Sequence, residues 1–526
     1  MSGHTAGHGR ARPEARRDGA AIMVVGATSG AGKSTVAAAL CRAWSRKGHR
    51  VAPFKAQNMS NHSAVTPDGG EVGRAQAVQA HAAGVETDRR MNPILLKPSR
   101  MRSHVVVLGE EVASTDAHDY GRVAAGLRPT VLAALTSLRD EHDIVVAEGA
   151  GGAAEINLLD RDLVNLPLAA AAGIPAVLVV DIDRGGAFAA AHGTLDLLPA
   201  PLRRQVVGVL FNSFRGDASL LERGVAELEQ RDGVPVLGVL PHLGEALMLG
   251  LEDSLDVHVG PVGGDAGHGA SNDHPRPLRV AAVRYPSLSN PSDLDPLLIE
   301  PSVQLRWVEH ARDLDPVDLI VLPGSRATVS DLAWLHARGF ADALRHTEAA
   351  IVGLCGGYQM LGELIIDHVE SGEGEVAGLG LLSVRTTFAA PKVVRRSRGT
   401  AQISETTPGA VIEGYQIRWG RPEPGTTASP WLHVDGVDEG VWRHAPQIVC
   451  GTSVHGLLDE DDFRRQFLAR VADSQDRHYM PGARDYREAL HAQAETLADW
   501  AGTHLDLDYL LTCARGATPV GQEPGW

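Results

Sequence analysis

Short apolar runs rich in Val and Ile alternate with amphipathic stretches rich in Ala and Leu through most of the chain. This alternation is typical of βαβ units and predicts a mostly parallel sheet. The predicted strands of the first half lie at 21–27, 51–55, 143–149, 176–183, 206–212 and 235–241. A second series lies at 278–285, 318–324, 350–355 and 447–456. The sequence therefore predicts an α/β protein with two sheet-containing domains.

The segment 260–277 is rich in Gly, Pro, Asp and His and has no periodicity, so we interpret it as a linker between two domains. The predicted domains are 21–259 before the linker and 278–474 after it. Residues 1–20 are polar and Arg-rich, without the apolar segment of a signal peptide, and are expected to form a disordered tail. Residues 475–526 are expected to form a C-terminal extension, helical at first, to which the sequence assigns no role.

Composition and charge narrow the class of protein. The 526 residues are enough for two to four domains at about 100–200 residues each. The formal charge of −16 argues against a nucleic-acid or membrane-surface partner and favours a soluble protein. The longest apolar stretch, 168–180, is too short to cross a membrane. Four cysteines without a Cys-x-x-Cys pair argue against a structural zinc site and indicate a cytoplasmic location.

A glycine-rich stretch, "GATSGAGKST", follows the first predicted strand and precedes a helical pattern. This context is that of a P-loop, whose backbone N–H groups cradle phosphate oxygens. Its lysine neutralises phosphate charge and its Ser hydroxyl can ligate Mg²⁺. Because Ala27 stands where the usual spacing has glycine, this is a variant one residue longer. The candidate nucleotide-binding residues of this loop are Gly26, Gly30, Gly32, Lys33, Ser34 and Thr35.

Three acidic residues and one lysine end other strands of the same predicted sheet. Ligands gather at the carboxyl ends of strands in open parallel sheets. Glu148 is the favoured candidate for holding Mg²⁺ near the nucleotide, and Asp181 and Asp183 are rivals for that role. Lys55 is either a second phosphate clamp or an ordinary surface lysine.

In the second domain a cysteine, Cys355, lies between a predicted strand and a predicted helix and is followed by two glycines. Such a sharp turn exposes the side chain, and the helix dipole favours the thiolate form of a nucleophile. His455 ends a later strand and is the candidate base. Backbone N–H groups of Gly324, Ser325 and Gly356 are expected to form an oxyanion hole.

The order and number of these motifs carry a resemblance to a known family, over residues 21–465. The most specific runs are "VAPFKAQNMS", "MNPILLKP", "AEINLLDRDLVN", "DIDRGGAFAA", "FNSFRGDASLL", "LPGSRATVSDL", "GLCGGYQMLG" and "GTSVHGLL". The chain closely resembles the cobyric acid synthases, the glutamine-hydrolysing amide synthases of cobalamin biosynthesis. The resemblance implies a first domain similar to dethiobiotin synthetase and a second similar to class I glutamine amidotransferases.

The resemblance also implies roles for residues that match the family's motifs in the first domain. Lys33, Ser34 and Glu148 would serve ATP and Mg²⁺. Lys55 would face phosphate and substrate, and Asn212 in "FNSF" would lie near the adenine.

In the second domain, Cys355 and His455 match the nucleophile and the base of the family. Common class I enzymes carry a Glu two residues after the His, and this chain has Leu457 there. The group that orients the imidazole is therefore open at this stage, with Asp459 and Glu460 as the nearby acidic residues.

The implied reaction is the ATP- and glutamine-dependent amidation of the b, d, e and g carboxylates of adenosylcobyrinic acid a,c-diamide. The nearest alternative is a cobyrinic acid a,c-diamide synthase or another amide ligase of the same superfamily. A different class, a P-loop partitioning ATPase, would not need Cys355 or His455. The expected partners are ATP, glutamine and a small corrinoid, without nucleic acid or membrane, and a homo-oligomer is left open.

Overall fold

The computed structural model describes residues 19–98, 103–115, 117–243, 259–261, 276–403, 409–426 and 428–516. The predicted tail up to residue 18 and most of the predicted linker at 260–277 lie outside these residues.

The first half builds one six-stranded parallel sheet with helices between its strands. Its elements are β1 (Ala20–Gly26), α1 (Lys33–Arg46), β2 (Val51–Phe54), β3 (Gln57–Met59), β4 (Ser63–Val65), β5 (Glu71–Gly73), α2 (Arg74–Ala83), β6 (Ile94–Pro98), β7 (Ser103–Val107), β8 (Glu110–Thr115), α3 (Ala117–Glu141), β9 (Ile144–Glu148), α4 (Leu166–Ala172), β10 (Ala176–Asp181), α5 (Ala187–Leu197), α6 (Ala200–Arg203), β11 (Val206–Phe214), α7 (Glu222–Asp232) and β12 (Val236–Pro241). The strand order is β12-β11-β10-β1-β9-β2, and every pairing is parallel. The α/β prediction is therefore confirmed, and all six predicted strands are present.

Parallel pairing collects the functional strand ends of this sheet at one edge. β1 lies in the middle, with β9 and β10 on its two sides. Val24 of β1 is level with Glu148 of β9, and Asp181 of β10 is level with Asn212 of β11. The loop after β1 therefore opens at the same edge as these three polar residues.

The second half builds a larger mixed sheet. Its elements are β13 (Gly260–Pro261), β14 (Leu278–Val283), β15 (Leu288–Ser289), β16 (Val303–Val308), β17 (Leu319–Leu322), β18 (Gly324–Ser325), α8 (Thr328–Ala337), α9 (Phe340–His346), β19 (Ala350–Leu354), α10 (Gly356–Leu361), β20 (Leu364–Asp367), β21 (Gly374–Ala377), β22 (Val384–Ala401), β23 (Ala410–Pro424), β24 (Ser429–Val434), β25 (Val437–Arg443), β26 (Val449–Thr452), α11 (Asp461–Ser474), α12 (Tyr486–His504) and α13 (Leu507–Ala514). Short 3₁₀ helices lie at Arg89–Met91, Leu159–Arg161, Ala218–Leu221, Pro291–Ile299, Ala311–Leu314 and Leu457–Asp459. The core run β16-β14-β17-β19-β26 is parallel. No helix in the described part of the chain has both the length and the apolar character needed to cross a membrane.

The structure adds strands that the sequence pattern did not predict. In the first half, β3-β6-β7-β8 form a small mixed sheet, in which only the β3-β6 pairing is parallel, and β4 pairs antiparallel with β5. In the second half, β22 and β23 form a long antiparallel hairpin. Both strands of this hairpin contact β4, so these added elements carry part of the contact between the two halves.

Helices α12 and α13 of the C-terminal extension pack on the first half of the chain. Helix α12 lies along α1, where Glu495 pairs with Arg42. Its Trp500 donates a hydrogen bond to the carbonyl of Pro241 at the end of β12 (3.0 Å). Helix α13 contacts β1, and its Leu510 is fully buried in the same apolar cluster as α1. The chain therefore returns to its first sheet after completing the second one.

This packing predicts that substituting Leu510 destabilises the first half. Leu510→Ala removes a fully buried side chain and leaves a cavity, so the free energy of unfolding should fall by about 2–5 kcal/mol. The matched control is Leu220→Ala, since Leu220 is 78 % exposed. Urea unfolding of the full chain measures both, and equal midpoints for the two variants would contradict the packing role of α13.

Candidate active site

The loop between β1 and α1 has the geometry of a phosphate-binding loop. The Nζ of Lys33 reaches back over the loop and donates to the carbonyls of Thr28 (3.1 Å) and Gly151 (3.0 Å). A Cβ on Gly26 would come within 3.1 Å of that Nζ, so glycine leaves room for the lysine. Ser34 and Thr35 follow in the first turn of α1. The loop lysine is thus held above the turn, where phosphate charge would be placed.

Glycines are required on the side of the loop that faces β11. Gly30 and Gly32 have positive φ, +69° and +91°, a region that favours glycine. A Cβ on Gly32 would overlap the side-chain amide of Asn212. That amide donates to the carbonyl of Ala31 (3.0 Å). Asn212 therefore borders the loop, and its role near an adenine stays a prediction.

Glu148 is the centre of a buried hydrogen-bonded cluster at the end of β9. Its carboxylate accepts hydrogen bonds from Ser34 (2.8 Å), Lys55 (2.7 Å) and Gln79 (2.6 Å). Burial by itself would raise the pKa of Glu148, but the charge of Lys55 and the three hydrogen bonds outweigh it and hold the pKa below its usual value. The sequence did not single out Gln79, whose place on the helix α2 gave no local signal.

This cluster has the chemistry that suits a magnesium ion. A carboxylate and a hydroxyl oxygen, from Glu148 and Ser34, lie 2.8 Å apart, and Mg²⁺ takes such oxygen ligands together with phosphates. The rival carboxylates, Asp181 and Asp183, pair with neighbouring arginines instead. The structure thus favours Glu148 among the three acids, and the metal role itself stays a prediction.

Cys355 lies at the tight turn that the sequence predicts between a strand and a helix. It has φ +49°, which is strained for a residue with a Cβ, and its N–H donates to the carbonyl of Thr452 (2.7 Å). A Cβ on Gly357 would overlap the carbonyl of Leu322. A Cβ on Gly356 would lie 2.7 Å from the nitrogen of Ser325. Both glycines are therefore needed for the close approach of the turn to its neighbours.

The predicted base, His455, is aligned by a residue that the sequence analysis missed. Asp293, on the 3₁₀ helix after β15, places its Oδ2 2.7 Å from Nδ1 of His455 and accepts the N–H of Gly456 (2.9 Å). Burial alone would lower the pKa of His455, but the charges of Asp293 and Cys355 outweigh it and raise the pKa to about 10. The carboxylate of Asp293 therefore favours the protonated form of the imidazole.

The two acids considered from sequence do not orient the imidazole. Asp459 lies 4.0 Å from Arg74 of the first half, and Glu460 pairs with Arg487 (3.2 Å). The orienting acid is Asp293, far upstream in the chain. In the sequence, Asp293 is one of many acidic residues, and its place after the first strand of the second domain does not distinguish it from the others.

A tyrosine ring connects the base to the contact between the halves. Tyr415 stacks on His455, with ring centroids 5.3 Å apart, and the two backbones exchange hydrogen bonds of 3.1 and 2.8 Å. The Tyr415 hydroxyl accepts from Asn290 (3.0 Å), and the Asn290 side chain also accepts the N–H of Ser63 in the first half (3.0 Å). Two residues, Tyr415 and Asn290, thus link the base to the other domain.

A small cleft opens beside the thiol. Cys355 and His455 line it together, and Lys97 of the first half also contributes to its wall. A Cβ on Gly324 would lie 3.3 Å from Cε1 of His455, so Gly324 borders the imidazole. The backbone of Gly324 and Gly356 therefore lies around the reacting groups, and their role as oxyanion donors stays a prediction.

The predicted residues thus form two separate groups. The phosphate-loop residues, Lys55, Glu148 and Asn212 meet at the edge of the first sheet, while Cys355 and His455 meet at the edge of the second. Together with the two folds, these groups define a glutamine amidotransferase domain joined to a P-loop nucleotide-binding domain.

Comparisons with known proteins give the family. A family profile described as a CobQ/CobB/MinD/ParA nucleotide binding domain matches residues 22–248, and one described as a CobB/CobQ-like glutamine amidotransferase domain matches residues 279–463. A cobyric acid synthase of Nocardia farcinica is 47% identical over 525 residues, covering 95% of this chain and 98% of the relative. Cobyric acid synthases of Mycolicibacterium paratuberculosis (46% identical, 95% and 97% covered) and Salmonella typhimurium (41%, 94% and 98%) are also similar. The chain belongs to the cobyric acid synthase family.

The Asp293–His455 pair predicts the pH dependence of glutamine hydrolysis. In Asp293→Asn the opposing charge is lost while burial remains, so the pKa of His455 should fall from about 10. We expect kcat to fall by about 10²- to 10⁴-fold, as for loss of the orienting acid in a catalytic triad. The basic limb of the pH–rate profile should move to lower pH, because the imidazolium is lost earlier.

The same pair contributes stability that depends on pH. Because the folded pKa of His455 is raised, this contribution is full below about pH 6.5 and is lost as the pH rises through about 10. In Asp293→Asn the free energy of unfolding should therefore change less across this pH window. Asp342→Asn, at an exposed surface pair, is the control. If the basic limb of the pH–rate profile is unshifted in Asp293→Asn, the role of Asp293 in raising the pKa of His455 is contradicted.

Proposed function

We propose that this chain uses ATP and glutamine to amidate side-chain carboxylates of a corrinoid, the b, d, e and g groups of adenosylcobyrinic acid a,c-diamide, to give adenosylcobyric acid. The observation that carries the proposal is the presence of both groups of residues, the P-loop with Glu148 and the aligned Cys355 and His455, in one chain. The similarity to cobyric acid synthases over 95% of the chain supports the choice of acceptor.

The first half would activate the carboxylate. A carboxylate oxygen attacks the γ-phosphorus of ATP and gives an acyl phosphate and ADP. Lys33 and Lys55 would neutralise phosphate charge. Ser34 and Glu148 would hold Mg²⁺, which when bound would supply positive charge to the phosphates. Asn212 beside the loop would help to fix the nucleotide.

The second half would release ammonia. The thiolate of Cys355 attacks the side-chain amide carbon of glutamine, and backbone N–H groups of Gly324 and Gly356 would stabilise the oxyanion. The imidazolium of His455 gives a proton to the departing ammonia, which leaves a thioester. His455, now neutral, takes a proton from the water that hydrolyses the thioester to glutamate.

Ammonia joins the two reactions. It attacks the acyl phosphate, forms the amide bond and displaces phosphate. Free ammonia is mostly protonated in neutral water and then has no lone pair for attack, so release close to the acceptor is an advantage. The cleft beside Cys355 includes Lys97 of the first half, which supports transfer inside the folded chain.

Replacing the nucleophile should separate the two activities. Cys355→Ala should abolish glutamine-dependent amidation, since Cys355 is the only cysteine among the described residues that line the cleft, while amidation with added ammonium salt should survive. Lys33→Ala should abolish both, because the acyl phosphate is not formed. Amide formation measured by mass spectrometry with each nitrogen source tests this. Loss of ammonia-dependent amidation in Cys355→Ala would indicate a structural cysteine instead.

The acceptor is tested with two corrinoids. Purified chain with ATP, Mg²⁺ and glutamine should convert adenosylcobyrinic acid a,c-diamide to the product amidated at b, d, e and g. Cobyrinic acid without amides should be a poor acceptor. Selective amidation of its a and c groups would favour the alternative, a cobyrinic acid a,c-diamide synthase, over this proposal.

A further inference from the structure

Arg326 is a buried cation in the wall of the cleft that contains Cys355. It follows β18, is 8 % exposed, and its backbone N–H donates to the carbonyl of Ser287 (2.8 Å). Its Nη1 pairs with the carboxylate of Glu370. Its Nε and Nη2 are buried and have no hydrogen-bond partner among the residues that the structure describes.

Such an arrangement is costly unless a further partner is present at some stage. The guanidinium is always charged and carries five donors, and a buried donor without an acceptor loses its hydration without replacement. Its flat fork matches a carboxylate, which it can bind through two parallel hydrogen bonds. The free donors of Arg326 therefore indicate an anionic group that a ligand brings into the cleft.

The other cations of this cleft are already paired. Lys97 and Lys392 both bind the carboxylate of Glu71. Arg418 donates from Nη1 to the carbonyl of Gly420 (2.6 Å) and from Nε to the side chain of Gln416 (3.0 Å). Among the described cations lining the cleft, Arg326 is the one with buried donors that lack acceptors.

Glu370 holds the guanidinium from a rigid turn. The carboxylate of Asp367 accepts the backbone N–H groups of Val369 (3.0 Å), Glu370 (2.8 Å) and Ser371 (2.9 Å). The turn therefore keeps Glu370 in place. Because its carboxylate binds Nη1 of Arg326, the orientation of the guanidinium is fixed, and with it the direction of Nε and Nη2.

We propose that Arg326 binds the α-carboxylate of the glutamine substrate, with Glu370 as the residue that positions it. The proposal rests on the proposed glutamine hydrolysis at Cys355. Glutamine has its reactive amide at one end and its carboxylate at the other, and the cleft offers a nucleophile and an unpaired guanidinium in the same cavity. Arg326 therefore determines specificity for a free amino acid over other primary amides.

The test compares glutamine with 4-aminobutanamide, which has the same amide and amine but lacks the α-carboxylate. In Arg326→Gln, kcat/KM for glutamine hydrolysis should fall about 10- to 100-fold, the effect of losing a charge-assisted hydrogen bond. The kcat/KM for 4-aminobutanamide should stay within about twofold, since that substrate makes no contact with the guanidinium. The ratio of kcat/KM for glutamine to kcat/KM for 4-aminobutanamide should therefore be much lower in Arg326→Gln than in the wild type, mainly because KM for glutamine rises.

Two further variants sharpen the result. Arg326→Lys keeps the charge and should recover part of the preference for glutamine, which a purely structural role would not produce. Arg345→Gln removes an exposed arginine of the same domain and should behave as wild type. An equal fall with both substrates in Arg326→Gln, or an unchanged preference, would overturn the inference while leaving glutamine hydrolysis at Cys355 intact. Absence of hydrolysis in the wild type would overturn the proposed function as well.

Discussion

The second active site depends on the buried ion pair between Asp293 and His455. The two side chains are 4 % and 2 % exposed, and either charge would be strongly destabilising there without the other. The pair forms only if the 3₁₀ helix at Pro291–Ile299 docks beside the end of β26. Asn290, which precedes that helix with φ +49°, is held by Ser63 and by the hydroxyl of Tyr415. The orientation of the base is therefore coupled to the contact between the two halves.

The first active site uses a similar arrangement with the roles of the charges exchanged. Here the carboxylate of Glu148 is central, and Lys55, Ser34 and Gln79 surround it. A single buried acid fixes the lysine and the hydroxyl that would meet phosphate and metal. In both sites an acidic residue on a different element fixes the position of the functional group. Little rearrangement is therefore required when substrate binds.

What the sequence predicts and what it misses follow from the range of the interactions. The strands and the turns at Lys33 and Cys355 were predictable because local periodicity and glycine spacing determine them. Parallel pairing then made it reasonable that His455 would reach Cys355, since β19 and β26 are neighbours. Asp293 was not predictable, because its contact with His455 spans 162 residues and has no local pattern.

The same limit applies to three other features. The C-terminal helices close on α1, and the hairpin of β22 and β23 reaches β4, through contacts between distant parts of the chain. The unpaired donors of Arg326 are visible only when all of its neighbours are placed. Local sequence patterns predict elements and turns, whereas the partner of a buried charge is decided by the tertiary fold.

The ion cluster around Glu71 joins the two halves of the chain. Glu71 is 1 % exposed, and burial alone would raise its pKa, but Lys392 of the second half and Lys97 of the first outweigh burial and keep the pKa well below its usual value. Separation of the halves would remove Lys392 from Glu71 and leave Lys97 as its cation. Because Lys97 and Lys392 also line the cleft beside Cys355, the cluster that joins the domains forms part of the wall of the cavity in which ammonia would be released.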